Sequence, residues 1–261
     1  MPPRARTRQD TRPWIDHHPG AHPGVERVPA QELVSLLDPH VVAPPQLHEP
    51  VIAVALEPGR WTPPDLFVRR GLVLFLVEGA LLRRHGGSVD VAFRGDAIPM
   101  ADESARWRVL TPEPSRVILV GPATASALGQ IPGAAHALMT TLVQQVERER
   151  ELRGIVGIQR IEDRIVAFFS LLARRVGVAE DRGVRIPLAL EQKRIEEILS
   201  AGHTQATMAF RTLFAAGVLV HDAAGWLFRA RDLSSAPNLS LGMIGAGPNT
   251  ILPLVLALLP L

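Results

Sequence analysis

At 261 residues the chain is long enough for two domains, each with its own core, and 47% hydrophobic against 21% charged residues places it among globular proteins. It has no cysteine, which excludes disulfides, thiolate catalysis and cysteine-ligated zinc or iron–sulfur clusters. The sequence pI of about 10.2 rests on a formal net charge of only +2, with 28 Lys and Arg against 26 Asp and Glu, so attraction to nucleic acid depends on where the arginines lie.

Residues 1–29 are rich in Pro, Arg and His and lack hydrophobic periodicity, which marks a flexible arm. No apolar segment follows the arginines of MPPRARTRQDTRPW, so no secretory signal and a cytoplasmic location are expected. His17, His18 and His22 carry ligating side chains, but no carboxylate or fourth imidazole stands at a supporting spacing, and no metal is expected. Val28 to Leu37 is predicted as a short helix, with Pro29 near its start and Leu33, Leu36 and Leu37 on its apolar side.

Short β-prone runs follow at Val51 to Leu56, Leu66 to Val68, Leu72 to Val77, Ala80 to Arg83, Val89 to Phe93, Trp107 to Leu110 and Arg116 to Val120. Turn signals separate them, among them Pro58-Gly59, Glu78-Gly79, Gly86-Gly87, Gly95-Asp96 and Pro112-Glu113-Pro114. Many short strands at regular spacing predict an antiparallel roll or barrel over 30–130. A long helix is predicted from about Ala134 to Ile155, within 131–157. Its Leu138, Leu142 and Val146 recur at i, i+4 spacing, and Leu152 and Val156 resume the pattern after a charged run. That apolar edge either pairs with a second copy or lies on the chain's own barrel.

The stretch from Leu190 to Leu219 reads as two short helices joined by a tight turn. The first, about Glu191 to Leu199, places Leu190, Ile195, Ile198 and Leu199 on one face. Ser200-Ala201-Gly202 then breaks the pattern with small residues and a glycine, as a helix-turn-helix corner requires. The second helix, about His203 to Ala216, buries Ala206, Ala209, Phe210 and Leu213, while His203, Thr204, Thr207, Met208 and Arg211 form an outward stripe. Val218 to Val220 and Trp226 to Phe228, separated by a turn-rich spacer, predict a hairpin wing.

A helix-turn-helix followed by such a hairpin resembles the winged-helix domain of the Crp/Fnr family of transcription regulators. The likeness runs without a gap from Leu190 to Leu219 and includes Gln192 and the exit Gly217-Val218-Leu219. IEDRIVAFFSLLARRVG, from Ile161 to Gly177, and GVRIPL after it look like the family's lead into the reading unit. Gly71 to Arg84, Arg94 to Pro99 and Trp107 to Val120 resemble, more loosely, the sensor barrel of an actinobacterial-type branch.

The resemblance implies an α+β chain: an antiparallel β-roll of the cyclic-nucleotide-binding kind, a linking and dimerisation helix, and a winged helix-turn-helix over 158–232. It implies a homodimer on double-stranded DNA, with two reading helices one duplex turn apart and a near-palindromic site. RNA polymerase and a small-molecule effector of unknown identity are further partners it leaves open. By family position His203, Thr204 and Met208 would face the major groove, where relatives often carry Arg, Glu and Arg, so preference should be AT-tolerant or weak. Thr207, Arg211 and Gln192 would contact phosphates.

The family's cyclic-nucleotide loop pairs a Gly-Glu with the ribose and an Arg followed by Ser or Thr with the phosphate. Here Ile98-Pro99-Met100 stands where Gly-Glu is expected, and Arg106, the candidate effector residue, is followed by Trp107. No cofactor is therefore expected and cyclic AMP is not the expected ligand; Arg106 alternatively pairs with Asp102 or Glu103. An iron–sulfur oxygen sensor of the Fnr type is excluded by the missing cysteines.

Residues 233–261 form an apolar, proline-broken tail. Its last stretch, Ile251 to Leu261, would reach about 16 Å as a helix against a hydrocarbon core of roughly 30 Å, so a docked or loose extension is expected rather than a membrane anchor. Asn238-Leu239-Ser240 matches a glycosylation sequon, and Gly245-Ala246-Gly247 is half of a dinucleotide fingerprint without its strand and helix. No Gly-Lys phosphate loop, nucleophile elbow or zinc pattern is present, so an enzyme is not expected. The competing expectation is a ligand-binding or protein-interaction module whose winged helix has lost DNA contact.

Overall fold

The computed structural model describes residues 25–37, 51–59, 61–62, 73–85, 88–99 and 105–229. It divides into two compact units, Met1–Arg150 and Glu151–Leu261. The first comprises β1 (Val25–Val28), α1 (Ala30–Leu37), β2 (Val51–Leu56), β3 (Trp61–Thr62), β4 (Val73–Glu78), β5 (Ala80–His85), β6 (Ser88–Phe93), β7 (Ala97–Pro99), β8 (Arg106–Val109), β9 (Ser115–Val120), α2 (Pro122–Gly129) and most of α3 (Pro132–Val156). Its strands form two antiparallel sheets, in the orders β1-β2-β9-β4-β7 and β3-β8-β5-β6. The fold class is α+β.

The register explains why β2 and β4 read as continuous apolar runs. Leu74 and Leu76 of β4 point to a core with Val54, Val117, Leu81, Ile98 and Trp107, inside the roll. Phe75 and Val77, pointing the other way, join Ala53, Ile118 and Val120 beneath Leu33 and Val34 of α1, Leu128 of α2 and Ala134 of α3. A sheet covered on both faces has no polar side to show, so its strands lose the alternation of a half-exposed one.

Several expectations are corrected. Val25–Val28 is not part of a loose arm but an edge strand, pairing Val25 with Val54 and Val28 with Val51. Its middle residues, Glu26 and Arg27, are exposed, so it carries no apolar period, and Arg116 reaches Glu26 and Glu32 to tie the edge down. The first helix begins at Ala30, because Val28 precedes Pro29 and the proline ring disfavours a helical residue before it. Strands β3 and β7 and helix α2 are not expected from the sequence pattern: two and three residues are too few for the strands to show a period, and the eight residues of α2 bury only Leu128.

The long helix also corrects its own seam. Leu138 and Leu142 pack against the roll, but Val146 does not join them; Met139, Val143 and Val146 are the exposed apolar side chains of the helix. Eight residues at 3.6 per turn leave Val146 about 80° around the axis from Leu138, so an i, i+4, i+8 row drifts off its own face. Further along, Arg148 pairs with the buried carboxylate of Asp96, which also accepts the Phe93 amide at 2.9 Å. A buried carboxylate needs such partners.

The arm histidines, the strand at Leu66 to Val68, Asp102, Glu103, the sequon, Gly245-Ala246-Gly247 and the whole of 233–261 lie outside the described residues. Among the described residues no helix is long and apolar enough to cross a membrane.

Candidate nucleic-acid interface

The second unit is built on α4 (Ile161–Val176), β10 (Val178–Glu180), β11 (Gly183–Ile186), α5 (Gln192–Ile198), α6 (His203–Ala215), β12 (Leu219–Asp222) and β13 (Gly225–Phe228), with the sheet order β10-β11-β13-β12. Helix α4 turns Ile165, Phe168, Phe169 and Leu172 inward, and α6, β11 and β13 pack on it. Glu162 and Asp163 in its first turn and Arg174 and Arg175 in its last suit the helix dipole.

Trp226 of β13, fully buried, is the point where wing and helices meet. Phe169 stands edge-on to it at 5.0 Å, Phe214 stacks on it at 6.1 Å, and His221 of β12 stacks at 4.2 Å. Its indole Nε1 donates to the Leu190 carbonyl at 2.8 Å, fixing the chain just ahead of α5. The wing turn admits no side chain at Gly225: φ is 109° and a Cβ would come within 2.5 Å of the Ile186 carbonyl.

In α5, Ile195 and Ile198 face inward, followed by Leu199. The corner that follows is not made by its glycine. Ser200 takes the left-handed conformation, φ 50°, whereas Gly202 has φ −66° and only caps the next helix. Arg164 braces the corner, donating Nη1 to the Leu199 carbonyl at 2.8 Å and Nε to the Ile158 carbonyl at 2.9 Å.

Helix α6 buries Ala206, Ala209, Phe210 and Leu213, the i, i+3, i+4, i+7 face. His203, Thr204, Met208 and Arg211 are exposed, and Thr207 and Gln192, the first residue of α5, are half-buried. All six candidate DNA-contacting residues thus lie on α5 and α6 and none is enclosed in the core. Sequence reasoning missed Glu196, a buried carboxylate on α5 whose Oε2 lies 2.9 Å from Nδ1 of His203. Such a pair joins residues on two helices and has no local signature.

Two arginines of this unit are held by carboxylates: Nη1 of Arg194 donates to both oxygens of Glu197, at 2.7 and 2.8 Å, and Arg185 of β11 bridges Glu180 and Asp222 at the wing. In the first unit, Arg106 opens β8 on the exposed side of its sheet, directly across from Arg84 of β5, and Trp107 beside it is buried.

A two-sheet β-roll followed by a winged helix-turn-helix is the architecture of the Crp/Fnr-like regulators, and the chain has that fold. No family model matches the sequence, and no match is found among curated proteins. Among solved structures it is similar to FixK2 from Bradyrhizobium japonicum, with 16% identity over 74% of this chain and 98% of that one at a TM-score of 0.54. It is similar to a cyclic nucleotide-binding domain containing protein from Listeria monocytogenes, with 12% identity, 77% and 97% coverage and a TM-score of 0.57. The c-di-GMP responsive global regulator CLP of Xanthomonas campestris matches at 11% identity, 69% and 94% coverage and a TM-score of 0.52.

Proposed function

We propose that the protein is a dimeric, sequence-specific DNA-binding transcription regulator of the cytoplasm that reads the major groove with the helix beginning at His203. The observation that carries this is the division of α6 into a buried face and an exposed polar edge of His203, Thr204, Met208 and Arg211, held by a wing whose Trp226 locks the whole unit. His203, Thr204 and Met208 face base edges, and Met208 offers only apolar contact, for example to a thymine methyl. Gln192, Thr207 and Arg211 contact phosphates and set position. No catalytic role is assigned to the chain. The likeness to a global regulator supports the reading.

Dimerisation is assigned to α3 through Met139, Val143 and Val146, which lie within about 60° of one another around the helix and are exposed. The β-roll is read as taking no cyclic nucleotide. In support, Ile98 extends its side chain into the roll's core where the ribose-binding pair would stand. Arg106 is the exposed arginine that an anionic effector of other chemistry would meet, and RNA polymerase is a further partner that this reading leaves open.

The test is selection from a random duplex pool, followed by fluorescence anisotropy over a salt series. Arg211→Ala should weaken binding evenly across sequences and lower the salt slope by about one, while His203→Ala should change preference. No enriched half-site and no salt-sensitive affinity would replace this reading with that of a protein-interaction module.

A further inference from the structure

Glu196 and His203 meet across the helix-turn-helix corner in a way that bears on what the reading helix can recognise. Glu196 is 7% exposed although it lies about 100° from Ile195 and about 160° from Ile198 around α5, and its Oε2 lies 2.9 Å from Nδ1 of a histidine whose side chain is 83% exposed. A glutamate is seldom buried without a partner, and the imidazole is that partner. An ionised carboxylate only accepts hydrogen bonds, so Nδ1 carries the proton. In the neutral ring this leaves Nε2, the far nitrogen, as a bare acceptor.

We propose that Glu196 is a positioning residue for base recognition: it locks His203 in the Nδ1–H tautomer, so that the first side chain of α6 selects an amino base, adenine or cytosine, over a keto base, guanine or thymine. The inference rests on the DNA-reading function above and deepens it by naming what the start of the helix selects. In the major groove adenine and cytosine present amino hydrogens, whereas guanine and thymine present carbonyl oxygens. An acceptor nitrogen is matched by the first pair and opposed by the second. The opposite tautomer, with Nε2 as donor, would reverse the preference. One buried carboxylate on the preceding helix therefore sets the sign of the reading.

The test has two arms on the full chain. Nitrogen-15 shifts of the imidazole, assigned against His203→Gln, report the tautomer without DNA, and selection from a pool randomised through the half-site reports preference. Wild type should show the Nδ1–H form and an amino-over-keto ratio of about fivefold at one position, the size one neutral hydrogen bond supports. Glu196→Ala should lose both, while Glu196→Gln, whose amide oxygen accepts the same bond, should keep both. An Nε2–H ring in wild type, or an amino preference that survives Glu196→Ala, overturns the proposal; so does Glu196→Ala that lowers stability and leaves preference unmoved. A wild-type protein that selects no duplex while showing the Nδ1–H form overturns the DNA-reading function itself, and base selection with it.

Discussion

Nη1 of Arg164 lies 2.8 Å from the carbonyl oxygen of Leu199, so the residue that caps the C-terminus of α5 is held from the first turn of α4. The last carbonyls of a helix lack intrahelical donors, and here a guanidinium supplies one while its Nε serves Ile158. The planar fork reaches both oxygens at once, which an ammonium on a flexible stem does not reproduce. Arg164→Ala should destabilise the second unit by about 1.5–3 kcal/mol, the range for bonds to a charged donor. Arg164→Lys should recover less than half of that. Urea unfolding of the three proteins measures it; equal stability would show that the brace contributes nothing.

Ser200 sits at φ 50°, a conformation that costs a residue with a Cβ about 1–2 kcal/mol. Ser200→Gly should raise stability by about 0.5–1 kcal/mol after the added freedom of the unfolded glycine is subtracted. At Gly202 the backbone is ordinary and a Cβ would meet only Gln205 Oε1 at 3.8 Å. Gly202→Ser should therefore gain a few tenths of a kcal/mol as an N-cap. Thermal melting separates these outcomes from the sequence-level expectation that the glycine is required, under which Gly202→Ser would be costly.

Residues whose role is local were legible in the sequence. Ala206, Ala209, Phe210 and Leu213 declare the buried face of α6 by spacing alone, and the continuous run of β4 declares a strand through its flanking glycine turn. Residues whose role depends on a distant partner were not. Val25–Val28 is a strand only because β2 lies beside it, and Glu196 looks like one more charge on a helix until His203 arrives across the corner. The long helix differs in a third way: its apolar residues are visible in the sequence, but a row of equal four-residue steps drifts around the axis, so Val146 belongs with Met139 and Val143.

Asp222 accepts the Ala224 amide at 2.9 Å and bonds from Arg185 Nη1 at 2.9 and 3.0 Å. The backbone bond first, then Arg185, holds its carboxyl below the ordinary aspartate range. With the folded value depressed, its contribution to the wing is full above about pH 4 and is lost as pH falls further, through the lowered folded value. The Ala224 amide proton shift should titrate in that acid window, and Asp222→Asn should abolish the titration. A titration that persists in Asp222→Asn would assign it to another group.

Met139, Val143 and Val146 form the outward apolar stripe of α3, while Leu142, one residue before Val143, packs against the roll. The two neighbours should therefore respond differently to a charge. Val143→Asp should leave the melting of the first unit nearly unchanged and convert the proposed dimer to a monomer, because an unpaired carboxylate in the apolar surface assigned to pairing costs several kcal/mol of association. Leu142→Asp should instead lower the stability of that unit by about 1–3 kcal/mol, since its carboxylate is forced against the unit's own core. Duplex affinity should fall about a hundredfold or more in Val143→Asp, as the second half-site loses the effective concentration that linkage supplies. Sedimentation velocity and anisotropy on the same samples measure both effects. A Val143→Asp protein that still sediments as a dimer would remove α3 from the pairing surface, and one that is monomeric yet binds a two-site duplex as tightly as wild type would remove pairing from the reading mechanism.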